Sequence, residues 1–319
     1  MGNGQDTGRR GCRMKRLEMV SLILLGLIWG SSFLFIKVAL ADIPPLTLVF
    51  IRIALGALCL LIVLRFQGKR MPAFGPVWGA FFLMGLLNGA VPYTLISIGE
   101  VTIDSGLAAI LNATMPIFTL ILAHFLTEDE PLSWERSLGV AVGLLGVIVL
   151  VGVDALLGIG THFWSQMAVI GAAVSYALAT IVGRRFLKGY PAIVAATGQL
   201  IGGAVLMAPL SLILDTPWKL NPSWLSVGTL LALSIVGTSV AYLFYFYLLN
   251  RVGATRTSMV TYIVPLTGVL WGAVFLGERF HWWSFLALGL ILIGVTGSSG
   301  RFLRGSALRR KHSKNPDLT

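Results

Sequence analysis

Apolar stretches of about 20 residues follow one another along this chain, separated by short polar breaks. That spacing predicts helices crossing a bilayer, since helices of soluble cores run to roughly 10–14 residues. Spans are predicted near 17–40, 45–65, 76–98, 103–126, 135–153, 165–186, 191–213, 223–249, 253–276 and 282–299. Transmembrane strands would alternate apolar and polar positions over roughly 10-residue segments, and runs such as Leu144 to Val151 do not alternate. Ten spans of about 20 residues leave only tails and turns, too little for a soluble domain. The fold expected is an all-α integral membrane protein with ten transmembrane helices.

Composition supports this. Of 319 residues, 56% are hydrophobic and 12% charged, with mean hydropathy +0.86, whereas soluble chains carry about a quarter charged residues. Cys12 and Cys59 offer neither metal-ligand spacing nor a disulfide framework, and no cofactor or metal is expected. The apolar length of the first span exceeds that of a secretory signal, and no small-residue cleavage pattern closes it. Met14-Lys15-Arg16 would serve as a start as well as Met1 does, and Asp6 replaces the Ser or Thr that myristoylation prefers.

The net charge of +11 is a topology signal. Of the 24 Lys and Arg residues, 20 fall in the tails and alternate loops on one side, Lys219 and Arg279 on the other, and Lys37 and Arg52 within spans. The positive-inside rule places both termini in the cytoplasm of a multi-pass inner-membrane protein. The basic tails, 1–16 and 300–319, suit anionic lipid headgroups and form no patch for nucleic acid.

An internal repeat divides the rest into 17–153 and 165–299. Tyr93 precedes Pro116 by 23 residues, and Tyr242 precedes Pro265 by the same 23, an offset of 149 between halves. Trp29, Phe33 and Lys37 lie opposite Tyr176, Thr180 and Arg184. Five spans per half is an odd number, so the second copy enters from the opposite side. Two inverted five-helix repeats can present an interface site to either side in turn.

Trp29-Gly30-Ser31-Ser32-Phe33 followed by Lys37, Arg52 in the second span, Asn112-Ala113-Thr114-Met115-Pro116, Arg251-Val252-Gly253-Ala254 and Phe275-Leu276-Gly277-Glu278-Arg279 resemble the EamA branch of the drug/metabolite transporter superfamily. The resemblance covers nearly the whole chain. It implies two EamA repeats, a central cavity and, commonly, export of amino acids, other metabolites or drugs. The first-half counterpart of the Gly-Glu-Arg turn departs from the pattern, reading Thr127-Glu128-Asp129-Glu130-Pro131.

Polar and helix-breaking residues at mid-span are the candidates for a solute site. Asn112, Pro116 and Thr119 share one helix face, and Thr261 and Pro265 repeat the first two positions. The prolines read as hinges with a free carbonyl, against ordinary packing kinks. Thr238, Tyr242 and Tyr245 fall at i, i+4 and i+7 of the eighth span, where aromatic rings with polar tips could hold an amphipathic solute, against an interfacial aromatic belt. Tyr93, Asn88, Trp29, Ser32, Tyr176 and Gln199 complete the set.

No Asp or Glu is expected at mid-span; Lys37 is expected to snorkel, and Arg52 to pair with Asp42, Glu100 or Asp104. His124 near an inner span end could relay protons but reads more readily as structural. Gly139, Gly143 and Gly146, and Gly294 and Gly297, form close-approach faces that could serve packing within the chain or a homodimer. No nucleophile, metal or P-loop motif argues for an enzyme or an ATP-driven pump. The expected function is a secondary transporter exporting small amphipathic metabolites, with a lipid-linked flippase or an uptake permease as rivals.

Overall fold

The protein, seen in a computed structural model, is described here over residues 15–126, 134–156, 162–253 and 257–298. Residues 1–14 and 299–319, which hold nearly all of the basic tails, lie outside the described residues, as do the Glu128 turn and Arg256. Helices run α1 Arg16–Ala39, α2 Pro45–Phe66, α3 Pro76–Glu100, α4 Ser105–Asn112, α5 Met115–Leu126, α6 Trp134–Leu156, α7 Phe163–Phe186, α8 Ala192–Asp215, α9 Trp224–Val252, α10 Val260–Leu276 and α11 Trp282–Ser298. Among the described residues, seven helical runs of 22 to 29 residues, with α4 and α5 counted as one run, are long and apolar enough to cross a membrane. Three further apolar helices are shorter, Ser137–Val149, Val260–Leu276 and Trp282–Gly297. A 22-residue helix is about 33 Å long, close to the roughly 30 Å of a bilayer core.

The helices are interrupted where the backbone ladder has a local reason to change. Pro45 and Pro76 sit in first turns, where a missing N–H costs nothing. Between α4 and α5 the chain turns at Ala113–Thr114; the Thr114 hydroxyl donates to the Leu111 carbonyl at 2.7 Å, and Pro116 follows as the second residue of α5. Pro265 is different. It lies buried inside the unbroken α10, and the second-half turn comes earlier, at Ser258–Met259. The two prolines therefore do not occupy equivalent geometry.

Three π-helical turns widen the helices: Leu86–Ala90 in α3, Ile235–Val240 in α9 and Ser211–Asp215 closing α8. The first two begin 149 residues apart, the spacing of the sequence repeat. In α9 the hydroxyls of Thr238 and Ser239 reach back five residues, to the carbonyls of Leu233 and Ser234 at 3.1 and 3.3 Å. Side chains thus satisfy carbonyls that a π turn leaves loosely bonded, as a bilayer requires.

Packing follows small residues. The Gly85 backbone lies so close to Gly202, Gly203 and the Gln199 carbonyl that α3 and α8 meet main chain to main chain. Gly143 meets Gly294 in the same way, and Gly139 and Gly146 face Gly297 and Ile291. The two glycine faces seen in the sequence are thus the two sides of one contact, α6 against α11. Elsewhere α1 packs on α10, α7 on α5 and α4, α2 on α8, and α10 on α4. Large apolar side chains such as Leu58, Ile62, Ile148 and Ile293 point outward, toward lipid.

Charges at one end of the bundle cap helices that belong to other spans. The Asp42 carboxylate accepts from Ser223 and Ser226 at the start of α9, with side-chain contacts of 2.6 Å each. Those hydrogen bonds, Ser223 first, hold its carboxyl below the usual carboxylate range. Asp215 accepts from the Thr47 amide of α2 at 2.7 Å, and Glu278 accepts from Ser105 and Gly106 at the start of α4. Lys37 corrects the snorkelling expectation. Its Nζ turns inward to the carbonyls of Glu100 and Ile103, at 2.6 and 2.8 Å. Anions thus meet helix N-termini and a cation meets a C-terminus, as the helix dipole favours.

Replacing Gly85 or Gly294 by Val should destabilise the purified protein by about 1–3 kcal/mol or more, because the new side chain meets backbone that cannot yield. Gly228→Val, where a Cβ meets open space, should leave the thermal unfolding midpoint in detergent almost unmoved.

Candidate functional site

The π turn of α3 contains Asn88, the central residue of Pro76–Glu100, and that of α9 contains Thr238, the central residue of Trp224–Val252. Each turn therefore sits at mid-span and displaces the helix face it interrupts. Between them stands Arg52 of α2, 4% exposed. Its Nε donates to the Thr238 hydroxyl at 3.1 Å, and its guanidinium lies 3.8 Å from the centroid of the Tyr93 ring. Arg52 is thus held by one residue from each half of the chain, and the expected pairing with Asp42, Glu100 or Asp104 is replaced by a hydroxyl and a ring face. Asp42 is committed to α9, as described above. The terminal guanidinium N–H groups make no hydrogen bond within the described residues.

Next to Arg52 the polar atoms close on one another. The Tyr242 hydroxyl accepts from Gln199 Nε2 at 3.0 Å and from Asn88 Nδ2 at 3.5 Å, while Asn88 also donates to Gln199 Oε1 at 3.1 Å. Tyr93 packs edge-on against Tyr176 at 6.4 Å, and Tyr242 stacks on Phe246 at 5.7 Å. Four tyrosine and phenylalanine rings, two amides, a hydroxyl and one fixed cation converge from α2, α3, α7, α8 and α9. The arrangement has no general acid–base pair poised on a bond; it offers a cation for an anionic group and ring faces for apolar surface.

The structure brings together Asn88, Tyr93, Tyr176, Gln199, Thr238 and Tyr242, and adds Arg52 as a central member. It separates the others. Tyr245 turns to Trp29, 5.7 Å between rings, in a second cluster with α1, and meets the first only edge-on through Phe246, also at 5.7 Å. Ser32 is buried, donates to the Ile28 carbonyl at 3.3 Å and lies against Gly237 of the α9 π turn. Asn112 ends α4, its side-chain oxygen buried without a hydrogen-bond partner among the described residues. Thr261, half-buried in the first turn of α10, donates to the Ser258 carbonyl at 2.7 Å, away from the cluster. His124 is exposed beside Phe125. Glu100, expected only as one possible partner of Arg52, ends α3 and is wholly buried. A charged residue six or seven positions inside an apolar span was the signal for Arg52.

The pattern of two similar halves has a counterpart among known families. The EamA-like transporter family matches twice, over residues 16–152 and 163–300. The chain belongs to that family. This EamA-like chain is 30% identical over 280 residues to the uncharacterized inner membrane transporter YedA of Escherichia coli K12, covering 86% of this chain and 88% of that one. It is 27% identical over 286 residues to the uncharacterized transporter YoaV of Bacillus subtilis, covering 90% and 98%. It is also 28% identical over 291 residues to a probable amino-acid metabolite efflux pump of E. coli K12, covering 88% and 94%. The EamA-like chain is a membrane transporter by family, and its family is one of transporters rather than enzymes.

Thr238→Val keeps the side-chain shape and removes the acceptor of a buried guanidinium. It should lower unfolding stability in detergent by about 1.5–3 kcal/mol, against about 0.5–1.5 kcal/mol for Tyr242→Phe, which deletes a neutral partner.

Proposed function

We propose that this protein is a secondary transporter exporting small amphipathic metabolites that carry a carboxylate, amino acids or related compounds, by alternating access. The observation that carries the reading is Arg52, fixed between the halves with its terminal N–H groups unengaged. A planar guanidinium accepts a carboxylate through two parallel hydrogen bonds, and the rings of Tyr93, Tyr176, Tyr242 and Phe246 suit the apolar remainder. The efflux pump named among the relatives supports the same solute class.

The mechanism proposed uses ten spans arranged as two inverted five-helix repeats, 17–153 and 165–299, with both termini cytoplasmic and the Asp42 end outside. Seven long and three shorter apolar helices support the count. The packing also supports the repeat, because exchanging the halves turns α1 on α10 into α7 on α5 and α4, and leaves α2 on α8 and α6 on α11 paired with themselves. Each half supplies one mid-span π turn to the cluster. A π turn can return to α-helical spacing by shifting one residue, so these turns are where α3 and α9 can pivot. In the conformation described the cluster is closed on itself through the Asn88, Gln199 and Tyr242 hydrogen bonds. Opening toward one side requires parting them, and a solute's own polar groups would replace what is lost.

Metabolites should be quantified without preselection inside and outside cells expressing the intact chain, Arg52→Gln or Tyr242→Ala. A carboxylate solute should be enriched outside only with the intact chain, falling about tenfold with either variant at equal membrane abundance, equivalent to about 1.4 kcal/mol of lost interaction. Accumulation inside the cells, or a shift in lipid-linked intermediates, would overturn export in favour of uptake or flipping.

A further inference from the structure

Among the described residues at the Asp42 end, Asp42, Asp215 and Glu278 are engaged in caps, whereas the side chains of Asp104, which is exposed, and Glu100 are not. Glu100, the last residue of α3, is wholly buried, and neither carboxyl oxygen has a hydrogen-bond partner among the described residues. Ser97 Oγ, one turn earlier, is equally buried and equally unpartnered. Tyr93, Ser97 and Glu100 fall at i, i+4 and i+7, one face of α3, so a polar stripe runs from the ring beneath Arg52 to the end of the helix. The charged groups acting on Glu100 are Lys37 from α1, Arg52 from α2 and Glu278 from beyond α10. Asp104 before α4 lies further along, itself influenced by Glu278, Lys37 and His162; desolvation, with Glu278 adding to it, pushes the Asp104 carboxyl up.

We propose that Glu100 is a proton-binding site of the transporter, its protonation linked to the charge state at Arg52. An ionised carboxylate without hydrogen bonds is costly in an apolar interior, so Glu100 can change charge only together with its surroundings. A metal cation fits poorly. The backbone carbonyls of Glu100 and Ile103 that would ligate it are taken by Lys37, and two fixed positive charges would repel it. A proton requires one carboxyl oxygen and no further ligand. When a solute carboxylate neutralises Arg52, Glu100 loses a favourable opposite charge and takes up the proton more readily. Solute and proton binding thereby favour each other across one polar stripe, so that solute and proton leave together, driven by the solute's own gradient. The coupling rests on the transporter reading above, whereas the proton site itself can be tested without any solute.

The test is covalent labelling of the purified full chain with dicyclohexylcarbodiimide, which adds to protonated carboxyl groups in apolar surroundings, read peptide by peptide by mass spectrometry. Glu100 should be labelled, the label should fall as pH is raised from about 6 to about 9, and Glu100→Gln should abolish it. At about pH 7, Arg52→Gln should raise labelling about threefold or more, Lys37→Met should do likewise, and Arg52→Lys should stay within about twofold of the intact chain. Absence of label across that range, label insensitive to pH, label unmoved by both charge removals, or protection by sodium ions at fixed pH would each overturn the proposal. Intact labelling with no solute export would remove the exporter reading alone; export without pH-dependent label would remove the proton site alone.

Discussion

A polar group inside a bilayer finds its partner within the chain or goes without, and this constraint orders the molecule. It makes the spans helical, and it governs how each irregularity is repaired. The π turn of α9 is accompanied by threonine and serine hydroxyls reaching back to loosened carbonyls, and the break before α5 by the Thr114 hydroxyl. Helix ends obey the same rule through charges borrowed from other spans. Asp42, Asp215 and Glu278 serve N-termini, and Lys37 serves the end of α3. Each such cap also ties two spans together, so satisfying the backbone and closing one end of the bundle are a single event.

Arg52 is the sharpest instance. A guanidinium at this depth is tolerated because it rests on an aromatic face from the first half and a hydroxyl from the second. Its two supports therefore move relative to one another whenever the halves do, and a group held this way senses conformation directly. The neighbouring triangle of Asn88, Gln199 and Tyr242 adds hydrogen bonds that hold the closed arrangement. Main-chain contacts at Gly85 and Gly143 supply the rigid surfaces against which such a shift would be levered.

Much of this was legible in the sequence, for physical reasons that also mark where legibility ended. Hydropathy is a property of local composition, so the positions of the apolar spans followed from it. The 149-residue offset pointed to Tyr93 and Tyr242 together, and both stand in the cluster. Helical spacing failed at Thr238, Tyr242 and Tyr245: the π turn ends before Tyr242 and so offsets Thr238 from both tyrosines, and Tyr245, three residues further along regular helix, reaches Trp29 instead. The partner of Arg52 was illegible because carboxylates nearby in sequence were the obvious choice, while the actual one depends on α9 lying against α2. The inward turn of Lys37 and the burial of Glu100 were illegible for one shared reason. Position near a span end says nothing of whether a neighbouring helix covers the side chain. The glycine faces were recognisable as contacts, but two complementary faces carry no mark of belonging to one chain or to two.

The proposed transport requires alternating closure at the two ends around Arg52. Its most direct test replaces Asp42 and Ser223, joined at the capped end, by cysteines in a chain whose Cys12 and Cys59 are serine. Efflux of a preloaded amino-acid mixture would be followed from proteoliposomes. Oxidation to the disulfide should stop efflux and reduction should restore it, because that end must open once in every cycle. Efflux continuing at the same rate with the disulfide formed would contradict the account.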